Sequence, residues 1–214
     1  MQSESNEAQE FWEQRYAGAD RVWSGRVNAR LAEVAAQLTP GRALDLGCGE
    51  GADAIWLAEH GWQVVAVDVA ETALQRGAAE ARARNVLDRI SFQRYDLSES
   101  FPDENFDLVS AQYLHSPVRL ERETVLRRAS ASVKPGGVLL IVDHGSAPPW
   151  MSNDHHHDFP SADEVVASLQ LDEHRWRRVR MEKAERETIG PDGRPATLID
   201  NIIVLRRMDS QTAS

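Results

Sequence analysis

The chain has 214 residues, 42% of them hydrophobic and 27% charged, with a formal net charge of −10. That length and balance describe one soluble globular domain with short additions, and the acidic excess argues against a surface that tracks nucleic-acid phosphates while leaving room for a cationic ligand. One cysteine, Cys48, leaves no internal disulfide; the opening MQSESNEAQE lacks the apolar run of a secretory signal and no stretch reaches the ~20 apolar residues of a membrane helix, so a cytoplasmic protein is expected.

In chain order, FWEQRY and NARLAEVAAQL read as helices joined by AGADRVWSGR, so residues 1–40 are expected to form a helical cap. The cap could simply cover a sheet edge, or it could be a lid carrying Tyr16 and Trp23 over a ligand. RALDLG (42–47) reads as a strand and ADAIWLAEHG as a helix stopped at Gly61; WQVVAVDV (62–69) is the next strand and ETALQRGAAEARARN the next helix. RISFQRYDL, FDLVSAQYL and GVLLIVDH supply three more strands, with a helix from about Pro117 to Ser132 before the last. Apolar strands alternating with helices imply a parallel sheet covered on both faces. After Asp163 come a short helix and two long alternating strands, HRWRRVRMEKAERETI and TLIDNIIVLRR, around the turn signal GPDG (190–193), which reads as an antiparallel hairpin. The arginines of Arg175–Arg180 read as a solvated face that blunts a sheet edge. Residues 41–207 are thus the expected core, and the tail 208–214, with the first few residues, is expected to be disordered.

Gly47-Cys-Gly49-Glu-Gly51-Ala52 satisfies the dinucleotide pattern G-x-G-x-x-G/A, and Asp68 follows about twenty residues on. Three features count against a pyrophosphate. Asp45 lies at the mouth of the loop and Glu50 inside it, where carboxylates would repel phosphate but suit an ammonium or a sulfonium. Gly51 permits close backbone approach at one more position than a dinucleotide loop requires. The chain also has one run of parallel strands followed by a hairpin, rather than two mononucleotide-binding halves. Glu50 could also be simply solvated, Cys48 reads as a small filler and Asp107 as a strand-start acid. Asp45 and Asp68 sit at strand C-termini, where open α/β sheets bind ligands.

Asp45-Leu-Gly47-Cys-Gly49-Glu-Gly51 resembles the first motif of class I S-adenosylmethionine-dependent methyltransferases. Val67-Asp68, Arg94-Tyr95-Asp96-Leu97, Phe106-Asp107-Leu108-Val109 and Val133-Lys134-Pro135-Gly136-Gly137 resemble the family's later motifs in the right order, across roughly residues 11 to 207. The resemblance implies a doubly wound, Rossmann-like, seven-stranded and mostly parallel sheet with an antiparallel C-terminal hairpin. It implies S-adenosyl-L-methionine as cofactor: Gly47, Gly49 and Gly51 shape its loop, Asp68 with the adjoining Val69 holds the ribose, and Asp96 and Leu97 meet the adenine. Asp45 would help place the amino-acid end, with Tyr16 and Trp23 closing over it and Gln112 beside it. Phe11-Trp12-Glu-Gln-Arg-Tyr16 and Trp23-Ser24-Gly25 are similar to small bacterial thiopurine- and tellurite-type methyltransferases, which implies a small-molecule acceptor with an oxygen, nitrogen, sulfur or metalloid nucleophile.

Methyl transfer from a sulfonium is an in-line displacement, so acceptor residues belong beyond the fourth and fifth strands. There the sequence reads Ser110-Ala-Gln112-Tyr113-Leu-His115 and Asp143-His144-Gly145. No Asn/Asp-Pro-Pro-aromatic motif of base methylation occurs, in keeping with an acidic chain that does not take nucleic acid. His115 and His144 are the candidates for an acceptor-side base. His155-His156-His157 could ligate a metal with nearby acids, but adjacent residues cannot all point one way, and no metal is expected. The alternatives are an NAD(P)-dependent oxidoreductase and a non-catalytic S-adenosylmethionine-binding module.

Overall fold

The computed structural model describes residues 2–147, 149–150 and 159–209; His155–His157 and the tail from 210 lie outside them. Seven strands form one sheet: β1 (Arg42–Leu46), β2 (Gln63–Asp68), β3 (Ile90–Arg94), β4 (Phe106–Gln112), β5 (Val133–His144), β6 (Trp176–Ile189) and β7 (Pro195–Arg207). Their order is β3-β2-β1-β4-β5-β7-β6. β1 to β5 pair in parallel, and β7 returns antiparallel between β5 and β6, as the hairpin reading required.

The strands bury both faces because successive residues point to opposite sides. Ala43, Val64, Leu108, Leu140 and Val204 face one apolar layer, while their neighbours Leu44, Val65, Val109, Leu139 and Leu205 face the other. Helix α3 (Ala52–Glu59) fills the first layer with Ala54, Ile55, Leu57 and Ala58, joined by Leu31, Val34 and Ala35 of α2 (Ala29–Ala35). Helices α5 (Arg122–Ala131) and α6 (Ala162–Ser168) cover the second with Val125, Leu126, Ala129, Val165 and Val166. Helix α4 (Glu71–Ala83) follows β2. The chain leaves β1 toward β2 and β3 and then returns to β4 on the other side, so the order reverses between β1 and β4. In open α/β sheets a crevice for ligands opens at that point, beyond the strand C-termini.

Three expectations differ from the structure. Helix α1 (Gln2–Ala17) begins at the second residue, where disorder is expected from the sequence. Helix α5 starts at Arg122, not near Pro117, because the preceding segment is tied elsewhere: Ser116 Oγ accepts from Trp12 Nε1 (3.2 Å) and Glu121 N–H donates to Ser98 Oγ (3.1 Å). β5 starts at Val133 and contains the Lys-Pro-Gly-Gly turn as an irregularity, since its register against β4 jumps from Phe106↔Val133 to Leu108↔Val138. A proline cannot donate to a ladder, and Gly136 takes φ 79°, so the pairing breaks where those residues stand.

Candidate active site

The glycine loop leaves β1 at Leu46 and ends at Gly51, the N-cap of α3. Gly47, Gly49 and Gly51 all have left-handed φ, at 66°, 53° and 78°. At Gly49 the requirement is also steric: a Cβ there would lie 3.0 Å from Trp23 Cδ1 and 3.1 Å from Tyr16 Oη. Asp68 fastens the loop to the end of β2, accepting from Gly49 N–H (2.9 Å) and Ala70 N–H (3.0 Å). Val69 lies half-buried beside it. Tyr95 N–H donates to the Asp68 carbonyl (2.9 Å), which brings the segment after β3 alongside. In that segment Asp96 is half-buried and accepts from Ser98 N–H (3.0 Å); the Leu97 side chain is buried in the core, so only its backbone is available to a ligand.

Asp45 is 2% exposed rather than open at the loop mouth, and its Oδ2 has no partner. Burial, and then the nearby charges of Asp53 and Asp68, push its carboxyl well above the usual range. Burial raises Asp53 to about 6, against the hydrogen bond from Asn28 N–H, and it raises Asp68 against its own backbone donors. The same burial pushes the Cys48 thiol up. Three carboxyls thus share a desolvated corner, and among the described residues no cationic side chain pairs with Asp45. A bound cation would relieve that cost.

The N-terminal segment lies over this corner. Tyr16 is buried and its Oη accepts from Trp23 Nε1 (2.8 Å); the Trp12 ring sits 6.2 Å from Tyr16 and 6.5 Å from Trp23. Burial and the neighbouring Asp68 raise the Tyr16 phenol. Glu50 holds the cover down. Its side chain is 8% exposed, not solvated, and accepts from Val22 N–H (3.2 Å), Trp23 N–H (3.2 Å) and Arg76 Nη1 (3.1 Å). Arg76 in turn donates to the Tyr16 carbonyl (3.0 Å). Glu13 accepts from Thr72 N–H at the start of α4 (3.3 Å).

Across the crevice, His115 Nε2 stands 3.2 Å from Asp143 Oδ1, at ion-pair distance but obliquely for a hydrogen bond. Asp143 also pairs with Arg122. Burial works against the Asp143 charge, yet His115 and Arg122 hold its carboxyl below the usual range. His144 stacks on Tyr113 (4.7 Å) and His115 (5.9 Å), with Phe159 edge-on at 5.3 Å; burial, then the His115 charge, lowers it. Tyr113 has a left-handed φ of 49°, a strained backbone at the crevice rim, and Arg186 lies 5.4 Å over its ring while pairing with buried Asp200 (3.0 Å). Gln112 donates to Ser110 Oγ (2.8 Å) and leaves its buried Oε1 unpartnered. Asp107 holds Arg42 N–H and Lys134 Nζ, a structural part as expected.

The structure therefore gathers Tyr16, Trp23, Asp45, the three glycines and Asp68 on one side of the crevice, and Gln112, His115 and His144 on the other. Sequence reasoning missed Trp12, Glu13, Asp53, Arg76, Arg122 and Asp143. The Trp12–Tyr16 spacing of one helical turn was the available signal for the first. An acid closing an apolar strand, the feature that singled out Asp45 and Asp68, also marks Asp143.

Residues 43–137 match the family model described as a methyltransferase domain. Across that segment, which runs from β1 into β5, the chain is similar to S-adenosylmethionine-dependent methyltransferases. It is 29% identical over 194 residues to 27-O-demethylrifamycin SV methyltransferase of Amycolatopsis mediterranei, covering 87% of this chain and 70% of that one. It is 36% identical over 114 residues to ribosomal RNA small subunit methyltransferase C of Alcanivorax borkumensis, covering 51% of this chain and 34% of that one. A solved structure described under the conversion of a disulfide bond into a thioacetal group during echinomycin biosynthesis shares the fold, with TM-score 0.72 and 24% identity over 96% of this chain and 95% of the other. The chain spans from about a third to seven-tenths of the length of these curated relatives. Among the described residues no helix is long and apolar enough to cross a membrane, and no group of side chains could hold a metal ion.

Proposed function

We propose that this protein is a class I S-adenosylmethionine-dependent methyltransferase and carries the methyl group of S-adenosyl-L-methionine to a heteroatom of a small molecule. The observation that carries the reading is the buried carboxyl corner of Asp45, Asp53 and Asp68, with an unpartnered Asp45 oxygen, beneath an aromatic cover. A cofactor with a sulfonium and an ammonium supplies the positive charge that corner lacks. Asp68 still has lone pairs for a ribose diol beyond the two amides it accepts. Gly47, Gly49 and Gly51 let the backbone approach the cofactor, and Asp45 places its amino-acid end with Gln112 Oε1 nearby. Val69, Asp96 and the Leu97 amide line the ribose and adenine. Tyr16 and Trp23 close over the site, and their seat on Gly49 means that the cover shifts as cofactor enters. The acidic surface supports a small molecule over nucleic acid as acceptor.

The test is calorimetric titration with S-adenosylmethionine, S-adenosylhomocysteine and NAD, before and after Asp68→Ala. Binding of the first two, lost in the variant, supports the reading. Binding of NAD alone overturns it, and cofactor binding without turnover on any acceptor reduces the protein to a binding module.

A further inference from the structure

β6 ends the sheet, paired on one side with β7 and on the other with no strand among the described residues. An edge strand offers a row of free amides and carbonyls to another chain, and proteins blunt it with like charges, a proline or a bulge. The first part of β6 is blunted in that way. Arg177 and Arg178 are exposed, and the register against β7 shifts between Arg178 and Arg180, which leaves Val179 as a bulge. From Arg180 to Ile189 the register is unbroken, and there the charges are mixed, Arg-Met-Glu-Lys-Ala-Glu-Arg-Glu-Thr over 180–188.

The partner strand decides which backbone groups face outward. Glu185 opposes Ile199, whose carbonyl accepts from Gly145 N–H (2.7 Å) and so points away from β6. Glu185 therefore turns its own N–H and C=O to the open side, where Arg30 Nη2 reaches the carbonyl (3.1 Å). By alternation Met181, Lys183 and Glu187 do the same.

A second copy that adds its β6 antiparallel to this one is related to it by a two-fold axis through the sheet, so the residue on the axis opposes itself. An axis at Glu182, Lys183, Glu185 or Arg186 sets a charge against its own image. An axis at Ala184 sets two methyl groups together instead. It also places Lys183 opposite Glu185 of the second copy, Glu182 opposite Arg186, Met181 opposite Glu187 and Arg180 opposite Thr188, each pair occurring twice. No like charges meet. Lys183 and Glu185 then form a hydrogen-bonded pair, as their outward amides require. The same register sets Val179 opposite Ile189, which are 50% and 64% exposed and are the two exposed large hydrophobic side chains of this strand.

We infer that two copies of this chain pair antiparallel along Arg180–Thr188 of β6, with Ala184 on the two-fold axis, so that the two seven-stranded sheets become one. The occupant is chosen by charge: the mixed sequence of 180–188 is complementary to itself. The Arg30 guanidinium shares the Glu185 carbonyl, which has a second lone pair, or swings aside.

Sedimentation equilibrium of the full chain over a dilution series is expected to show a species of twice the 23.9 kDa chain mass. Lys183→Glu sets glutamates against each other at both symmetric positions and should weaken association at least about tenfold. Adding Glu185→Lys to that variant restores opposite charges in the same register and should recover wild-type association. Both side chains are exposed, so these proteins keep their fold, which circular dichroism checks. Ala184→Cys tests the register. The Cα atoms of a non-hydrogen-bonded pair lie about 4.5 Å apart, within reach of a disulfide, so mild oxidation should link the chains. Glu182→Cys, whose two copies would lie on the order of 13 Å apart, should stay unlinked, as should the wild type with Cys48 alone. A monomeric mass at every concentration overturns the inference. So does a dimer that Lys183→Glu leaves untouched, one that the charge swap fails to restore, or cross-linking through position 182 as readily as through 184.

Discussion

Replacing Glu50 by alanine tests whether the N-terminal segment is a latched lid. Glu50 accepts two backbone hydrogen bonds, from Val22 and Trp23, and one from Arg76, and its side chain is 8% exposed. Hydrogen bonds to a charged group each contribute about 1.5–3 kcal/mol net, so the full set would suggest several kcal/mol. Trp23 is 47% exposed, however, and water replaces much of what its amide loses. A net cost of about 2 kcal/mol for holding the 22–23 segment down is the reasonable figure, equivalent to roughly 30-fold in a closing equilibrium. If cofactor affinity depends on that closure, S-adenosylmethionine should bind Glu50→Ala up to about 30-fold more weakly. Hydrogen exchange at the Val22 and Trp23 amides should accelerate by a similar factor, while amides of β1 and β4 keep their protection. Glu50→Gln, which retains one acceptor oxygen but not the charge, should fall between. Unchanged exchange at Val22 and Trp23 in Glu50→Ala would refute the latch. Faster exchange with unchanged affinity would show that the segment is held by Glu50 but does not retain the cofactor.

Two other predictions follow from the same corner. Gly49→Ala must hold a left-handed φ and put a methyl 3.0 Å from the Trp23 ring, so it should lower stability by at least about 1–2 kcal/mol in urea unfolding and displace the lid, seen as a changed tryptophan emission. Asp53 has a folded pKa raised to about 6 by burial, so its contribution is fully present below its unfolded value, near 4, and is lost as pH rises through 6. Asp53→Asn should therefore gain stability relative to wild type between pH 4.5 and 7, by roughly 1–3 kcal/mol, and a pH-independent difference would contradict the raised value.

What the sequence disclosed depends on how local each signal is. Asp45 and Asp68 stood out because each closes a short apolar strand, and the glycines because only a tight loop needs three in five residues. The hairpin was equally plain, since both its strands alternate around Gly190-Pro-Asp-Gly193. Partnerships were not legible. Glu50 seeks amides 27 and 28 positions earlier and Arg76 26 positions later, and His115 meets Asp143 only because β4 and β5 are adjacent in this register. For the same reason Asp45 was placed at an open mouth: position 45 gave its strand, and only the packing of α3 across β1 shows that it is enclosed. Helix α1 joins these two kinds of information. Trp12 and Tyr16 lie one turn apart, which their spacing alone puts on one helix face. Yet Tyr16 lies against Gly49 on the side of the proposed cofactor site while Trp12 reaches Ser116 beside His115. One helical turn thus touches both halves of the crevice, so any movement of α1 at the proposed cofactor site must also move the segment next to His115.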